Sequence, residues 1–355
     1  MRINQLTFTR FLAAISIVIF HYGKKSFIFN NNIVSFIFFN ANVCVSYFFV
    51  LSGFVMMIAY GNKSVFSVKD YFRNRFARIY PLYFFAILLV LFLQIRTKNL
   101  DLLGLFLNVL MIQTWIPGQA LMFNPPGWSL SVEFLFYAIF PLVLNMFVKN
   151  DNFKKNTIVI ILFWILSQVL FQTLFAFYEE NESSSMRDLL MYNPLMHINE
   201  FLIGNLAGYF FIKKIQDKRS NYDFPVLVII GLVFLALKLP LNLNFHNGLL
   251  AVLFIPLIIL ISLNNGFITT LFQKKAFVFL GEISFGIYIL QFPVYSLISA
   301  FSINKYLHLN DPTIVFFLRL VILIILSSFT YIYIEKPLGN KIRARKRTLI
   351  IENPA

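Results

Sequence analysis

Charge is scarce in this chain. Only 13% of its 355 residues are Asp, Glu, Lys or Arg, about half the roughly 25% typical of soluble domains. Acidic residues are scarcer still, 15 against 30 basic ones. No polar stretch is long enough to bury a core of its own, which excludes a second, soluble domain. The one cysteine, Cys44, excludes an intramolecular disulfide and a cysteine-based metal cluster, and reads as a small apolar residue within a helix. No metal is expected. The first apolar run continues past a histidine without a clear cleavage site, so it does not read as a signal peptide.

Apolar residues are what the chain has in excess. They make up 59% of it, with 45 phenylalanines and a mean hydropathy of +0.76. They come in long blocks separated by short charged patches, the pattern of a polytopic, all-α membrane bundle. Spans are expected near 9–29, 37–60, 80–96, 128–148, 156–178, 194–212, 224–240, 246–264, 278–300 and 313–334. The further segment 100–116 is short and runs into PGQALMFNPPG, so it is expected to be re-entrant or interfacial. With the N-terminus inside, ten spans place the C-terminus inside as well. Roughly three basic residues then lie inside for each one outside, as the positive-inside rule requires. This topology accounts for the net charge of +15 without a nucleic-acid partner, because the basic residues sit in short loops and not on one soluble face. The acidic stretch YEENESSSMRD (178–188) falls outside and reads as a solvated loop. One membrane domain is expected over 1–348, followed by a short tail, 349–355. Oligomeric state is left open, a homo-oligomer included.

The apolar blocks had to accept a few polar residues. In TRFLAAISIVIFHYGKK (9–25), Arg10 and His21 are eleven residues apart. At about 100° and 1.5 Å per residue they share a helix face, with His21 roughly 16 Å deeper. Arg10 alone can be a snorkelling anchor, and His21 a histidine hydrogen-bonded between helices. Intramembrane ionisable groups are nevertheless functional candidates, and an imidazole suits proton transfer near neutral pH. The first inner loop, KDYFRNRFARIYP (69–81), holds Arg73, Arg75 and Arg78. These satisfy topology, yet guanidinium forks also suit phosphates, and they lie on the same side as Arg10. Pro81 is expected to begin the next span, where its missing N–H costs little.

YFFVLSGFVM (47–56) sets Ser52 and Gly53 in an apolar helix, a sign of close helix packing. NPPGWSLSVEFLFYAIFP (124–141) places Trp128 and Glu133 on a helix after a PPG turn, and an intramembrane carboxylate needs a partner or a proton. FLGEISFGIYILQFP (279–293) adds Glu282, Ser284 and Gln291, and YIYIEKPLGNK (331–341) ends the last span at Glu335.

Taken together, these segments resemble the acyltransferase-3 family of membrane-bound acyltransferases over nearly the whole chain. The resemblance rests on Arg10 and His21 at their spacing, FFVLSGF (48–54), RNRFARIYP (73–81), WSLSVEFLFY (128–137), FLGEISFGIYIL (279–290) and YIYIEKPL (331–338). It implies a multi-pass protein of a bacterial inner membrane that transfers an acyl group, usually acetyl, from cytoplasmic acyl-CoA. The implied acceptor is a hydroxyl, less often an amine, on a glycan or glycolipid. It also implies that Arg10 and His21 are essential and that Arg75 and Arg78 serve the donor. On this reading His21 is the general base, Glu133 orients it or the sugar or else only binds the fold together, Arg10 and Arg73 add to the phosphate site, and Ser52, Trp128 and Gln291 contact the substrate. Many relatives carry histidine where this chain has Gln291, which puts a second acid–base role there in doubt. The soluble domain fused to some relatives is not expected. A transporter or flippase of a lipid-linked sugar is the rival reading, though it favours internal repeats and paired broken helices, and neither is visible.

Overall fold

The computed structural model describes residues 3–63, 66–149, 152–180 and 184–351, and among them it is all-helical, without a β-strand. Arg2, Glu182 of the acidic stretch and 352–355 of the tail lie outside the described residues. In chain order the main helices are α1 (Gln5–Val18, continued by a π turn, Ile19–Gly23), α2 (Val43–Tyr60), α3 (Val68–Thr97), α4 (Trp128–Lys149), α5 (Phe153–Glu180), α6 (Ile198–Phe210), α7 (Asp223–Lys238), α8 (Ala251–Leu263), α9 (Lys275–Leu297), α10 (Pro312–Thr330, continued by a second π turn, Tyr331–Glu335) and α11 (Lys336–Ile351).

Seven described segments are long and apolar enough to cross a membrane: those built on α1 to α5, α9 and α10. The other three expected spans appear as α6, α7 and α8, each shorter than the ~20 residues of an average crossing helix. The segment 100–116 forms only a short helix, Leu102–Val109, and a turn at Gln113–Trp115. It is pinned to the PPG turn by Gln113 Nε2, which donates to the Gly127 carbonyl at 2.9 Å. The acidic stretch 178–188 is less loop than expected, being shared between the end of α5 and a short helix, Ser184–Tyr192.

Small residues set the closest approaches. On α2, a Cβ added to Gly53 would lie 2.2 Å from the Phe201 carbonyl oxygen of α6, and one added to Gly204 would lie 2.1 Å from that of Val50. The backbones of α2 and α6 therefore touch, as the Ser52-Gly53 pair predicts. α9 packs against α1 on one side and α10 on the other.

Two expectations are corrected along α3. The arginines of 69–81 are not in a loop, and Pro81 does not begin a helix. Ser67 caps the helix by accepting from Asp70 N at 3.3 Å, so the helix starts at Val68 and runs on through Pro81 to Thr97. Proline within a helix deprives the carbonyl four residues earlier of its donor. Here that carbonyl belongs to Ala77, and α11 packs over it with Gly339, whose added Cβ would sit 2.8 Å from the oxygen.

Candidate active site

Two adjoining cavities, of about 350 and 100 Å3, run inward from the N-terminal end of α1. Arg10, Arg78, Leu51, Val55 and Phe285 line both. The larger is walled by Glu282, Glu335, Lys336 and Arg343. The smaller continues past Ser52, Arg75, Glu133 and Tyr137 to Ser129 and Tyr288. Four helices distant in sequence, α1, α2, α3 and α4, thus bring Arg10, Ser52, Arg75, Arg78 and Glu133 to one space.

Tyrosines hold two of these groups in place. Tyr137 Oη donates to Glu133 Oε2 at 2.9 Å, one helical turn away. The Arg75 guanidinium lies over the rings of Tyr60 and Tyr137, at 5.7 and 5.8 Å, and Nη2 donates to Tyr60 Oη at 3.4 Å. Its buried Nε has no partner. Among the described residues, no carboxylate comes within ion-pairing distance of Arg10, Arg75 or Arg78. Arg10, Arg75 and Arg78 share the cavities with Glu133, Glu282 and Glu335 but form no close ion pair with them among the described residues, and guanidinium groups so placed suit an oxyanion.

Arg73 does not join them. Its Nη2 pairs with Asp70 Oδ1 at 3.0 Å, on another face of α3, because two residues turn a helix by about 200°. Trp128 is also absent from the cavities. Its buried ring packs on Phe49, Tyr192, His197 and His246.

His21 stands apart from the cavities too. It sits within the π turn that ends α1, is exposed, and bonds through Nδ1 to Gln291 Oε1 at 2.8 Å. Glu133 does not contact it. A π turn is wider than an α turn, and such turns are common at functional sites. The buried Gln291 fixes more than position. Its Nε2 donates to the Tyr288 carbonyl at 2.7 Å, which leaves Oε1, a pure acceptor, facing the imidazole. Nδ1 must then carry a proton, and in the neutral ring Nε2 holds the free lone pair. Tyr288 lines the inner end of the smaller cavity, so one turn of α9 links that end to the histidine pair.

Residues that sequence reading passed over include Tyr137, legible as the i+4 partner of Glu133, and Tyr288, Asn340 and Arg343, which carry no local signal. No group of three or more His, Cys, Asp or Glu able to hold a metal occurs among the described residues.

A profile described as an acyltransferase domain, that of the acyltransferase-3 family, matches residues 3–333. The acyltransferase MdmB of Streptomyces mycarofaciens is 34% identical over 154 residues, 40% of this chain and 39% of that protein. A Staphylococcus aureus (strain COL) protein whose O-acetyltransferase name is itself provisional is 20% identical over 359 residues, 92% of this chain and 56% of its own length. An uncharacterized Haemophilus influenzae protein is 26% identical over 227 residues, 58% of this chain and 91% of that one. The chain spans about half the length of the first of these curated relatives or less, and no solved structure matches it. A family profile matched from the first turn of α1 to the second π turn, on a bundle of membrane-crossing helices, means that this integral membrane chain belongs to the acyltransferase-3 family.

Proposed function

We propose that the protein transfers an acyl group, acetyl in the first instance, from acyl-CoA to a hydroxyl of a cell-envelope glycan or lipid-linked saccharide. The observation that carries this reading is the cavity in which Arg10, Arg75 and Arg78 converge beside Glu133 with no close ion pair among the described residues. A CoA donor brings phosphates that need such charge. The nucleotide end occupies the larger cavity, and the pantetheine arm follows the smaller one past Ser52 and Glu133 toward Tyr288. His21 Nε2 takes the acceptor's proton as its oxygen attacks the thioester carbonyl. The C–S bond breaks, an ester forms, and the proton passes to the departing thiolate, giving free CoA. General-base help of this kind is worth about 10²–10⁴-fold. Gln291 supports the chemistry by presenting the right tautomer of His21, and Glu133 by positioning the donor.

The reading includes ten spans with both termini at the cytoplasmic face of a bacterial inner membrane, within one domain, so that the acyl group crosses inside the protein. Calorimetric titration with a non-hydrolysable acetyl-CoA analogue tests the donor site. Saturable binding that Arg78→Ala weakens about tenfold or more is expected, and no binding would overturn the reading. In sealed right-side-out vesicles, donor in the lumen should serve an external acceptor, and donor outside should not.

A further inference from the structure

One intramembrane cation has no place in the donor site. Arg319 lies within α10, half-buried, and among the described residues no carboxylate pairs with it. A charged side chain inside a span is costly and calls for a partner. What this one has is aromatic. Its guanidinium lies 4.0 Å from the Tyr295 ring centre and 5.8 Å from that of Tyr22. The two rings stack on each other, 4.0 Å apart at 26°. Nη2 donates to the Tyr295 carbonyl. Two buried polar atoms in the group have no partner at all, Arg319 Nε and Tyr295 Oη, and Tyr295 is only 3% exposed.

The group's position gives it meaning. Tyr22 follows His21 directly in the π turn, and Tyr295 lies one turn beyond Gln291 on α9. The unsatisfied cation and hydroxyl therefore adjoin the imidazole at the end of α1 opposite the arginine cavity. Aromatic faces accept the apolar C–H face of a sugar ring, and a guanidinium with a spare N–H accepts an oxyanion.

We propose that Arg319, Tyr22 and Tyr295 bind the acceptor, and that they select a saccharide bearing an anionic group, a phosphate or a carboxylate, close to the hydroxyl presented to His21. This assignment rests on the acyl-transfer reading and names its acceptor class. The anion meets Arg319, the sugar ring lies on the tyrosine pair, and binding supplies the partner that the span lacks.

The test is binding to the full chain in nanodiscs of zwitterionic lipid, followed by tyrosine fluorescence and thermal unfolding. The probes are glucose 1-phosphate, glucuronate, glucose and inorganic phosphate, each added with the non-hydrolysable acetyl-CoA analogue present. At least one charged sugar should bind at least tenfold more tightly than glucose, and more tightly than inorganic phosphate; which one distinguishes phosphate from carboxylate. Arg319→Gln should erase that preference while leaving binding of the CoA analogue unchanged, and Arg75→Gln should do the reverse. Arg319→Lys, which keeps the charge, should fold and retain part of the preference. Equal binding of glucose and the charged sugars, or a preference that survives Arg319→Gln, would overturn the proposal. So would inorganic phosphate binding as tightly as the sugar phosphate. If the CoA analogue fails to bind wild type while charged sugars bind through Arg319, the donor reading falls and the saccharide site stands.

Discussion

Two buried polar clusters lie within this apolar bundle, and they differ in what their atoms lack. Around Trp128, the side-chain nitrogens of Gln168, His197, Asn199 and Asn247 all find acceptors between 2.6 and 3.1 Å away. His197 is held on both sides, by Glu200 and the Met191 carbonyl. Around Arg10, three guanidinium groups share a cavity with Glu133, and among the described residues Arg75 alone of the three makes a hydrogen bond, a long one, to Tyr60. In the first cluster these nitrogens are engaged and tie α5, α6 and the loop before α8 together, although Gln168 Oε1, Glu200 Oε1 and His246 Nδ1 have no partner. A cluster that leaves cations unpaired has bonds to offer a ligand. Burial and polarity are common to both, and partner accounting separates them.

The largest expected effect lies outside both clusters, at His21. Its substitution by Ala should reduce transfer by at least ~10²-fold with protein level and thermal stability unchanged, measured as acylated product in membranes. His21→Gln should be nearly as inactive, because it hydrogen-bonds without exchanging a proton. Substantial activity in either variant would remove the base from the mechanism.

The cluster around Trp128 should behave in the opposite way. Removing one partner of a buried hydrogen-bonded pair leaves the other unsatisfied, at a cost of about 1–3 kcal/mol, and more for a charged group. His197→Ala should therefore lower the unfolding temperature strongly, yet the folded fraction should bind the CoA analogue with wild-type affinity. A loss of affinity without a loss of stability would place His197 with the ligand.

Within α3 the contrast can be drawn between near neighbours. Arg75→Ala should weaken CoA-analogue binding by about tenfold or more. Arg73→Ala breaks only its half-buried pair with Asp70 and should change that affinity less than twofold. Equal effects would mean that the whole basic segment acts as a diffuse charge.

Smaller and more local is the tautomer of His21. In 15N spectra of the wild type, its proton should reside on Nδ1. Gln291→Leu should shift it toward Nε2 and slow transfer by several-fold, with the stability of the bundle little changed. A wild-type ring protonated on Nε2 instead would contradict the geometry with Gln291.

How much of this was written in the sequence differs from residue to residue. The meeting of Arg75 with Arg78 follows from their spacing on a helix, and the contact of α2 with α6 from Ser52-Gly53. That Arg73 points elsewhere was also available, since Asp70 stands three residues before it. The π turn under His21 was not, because one wider turn in an apolar run leaves hydrophobic periodicity unchanged. Trp128 was assigned to the substrate with the resemblance, and its packing on His197 and His246 was not legible because both arrive from far along the chain. The start of α3 was misread because Pro81 was taken as a beginning, although Ser67 and Asp70 offered a capping signal earlier.

The distance between Arg10 and His21 has a further meaning. On the proposed mechanism, a roughly 16 Å separation along α1 keeps the end that grips the phosphates and the proton acceptor from touching the same part of the donor. In that mechanism the fold acts as a ruler. A thioester reaches the histidine only when its carrier is long enough to stay anchored at the arginines, so short thioesters such as S-acetyl-N-acetylcysteamine lack the handle. Hydrolysis of stray metabolic thioesters is avoided by length and not by recognition of the acyl group. The same measure predicts tolerance at the far end, where the size of the acyl group is checked only by the space around His21.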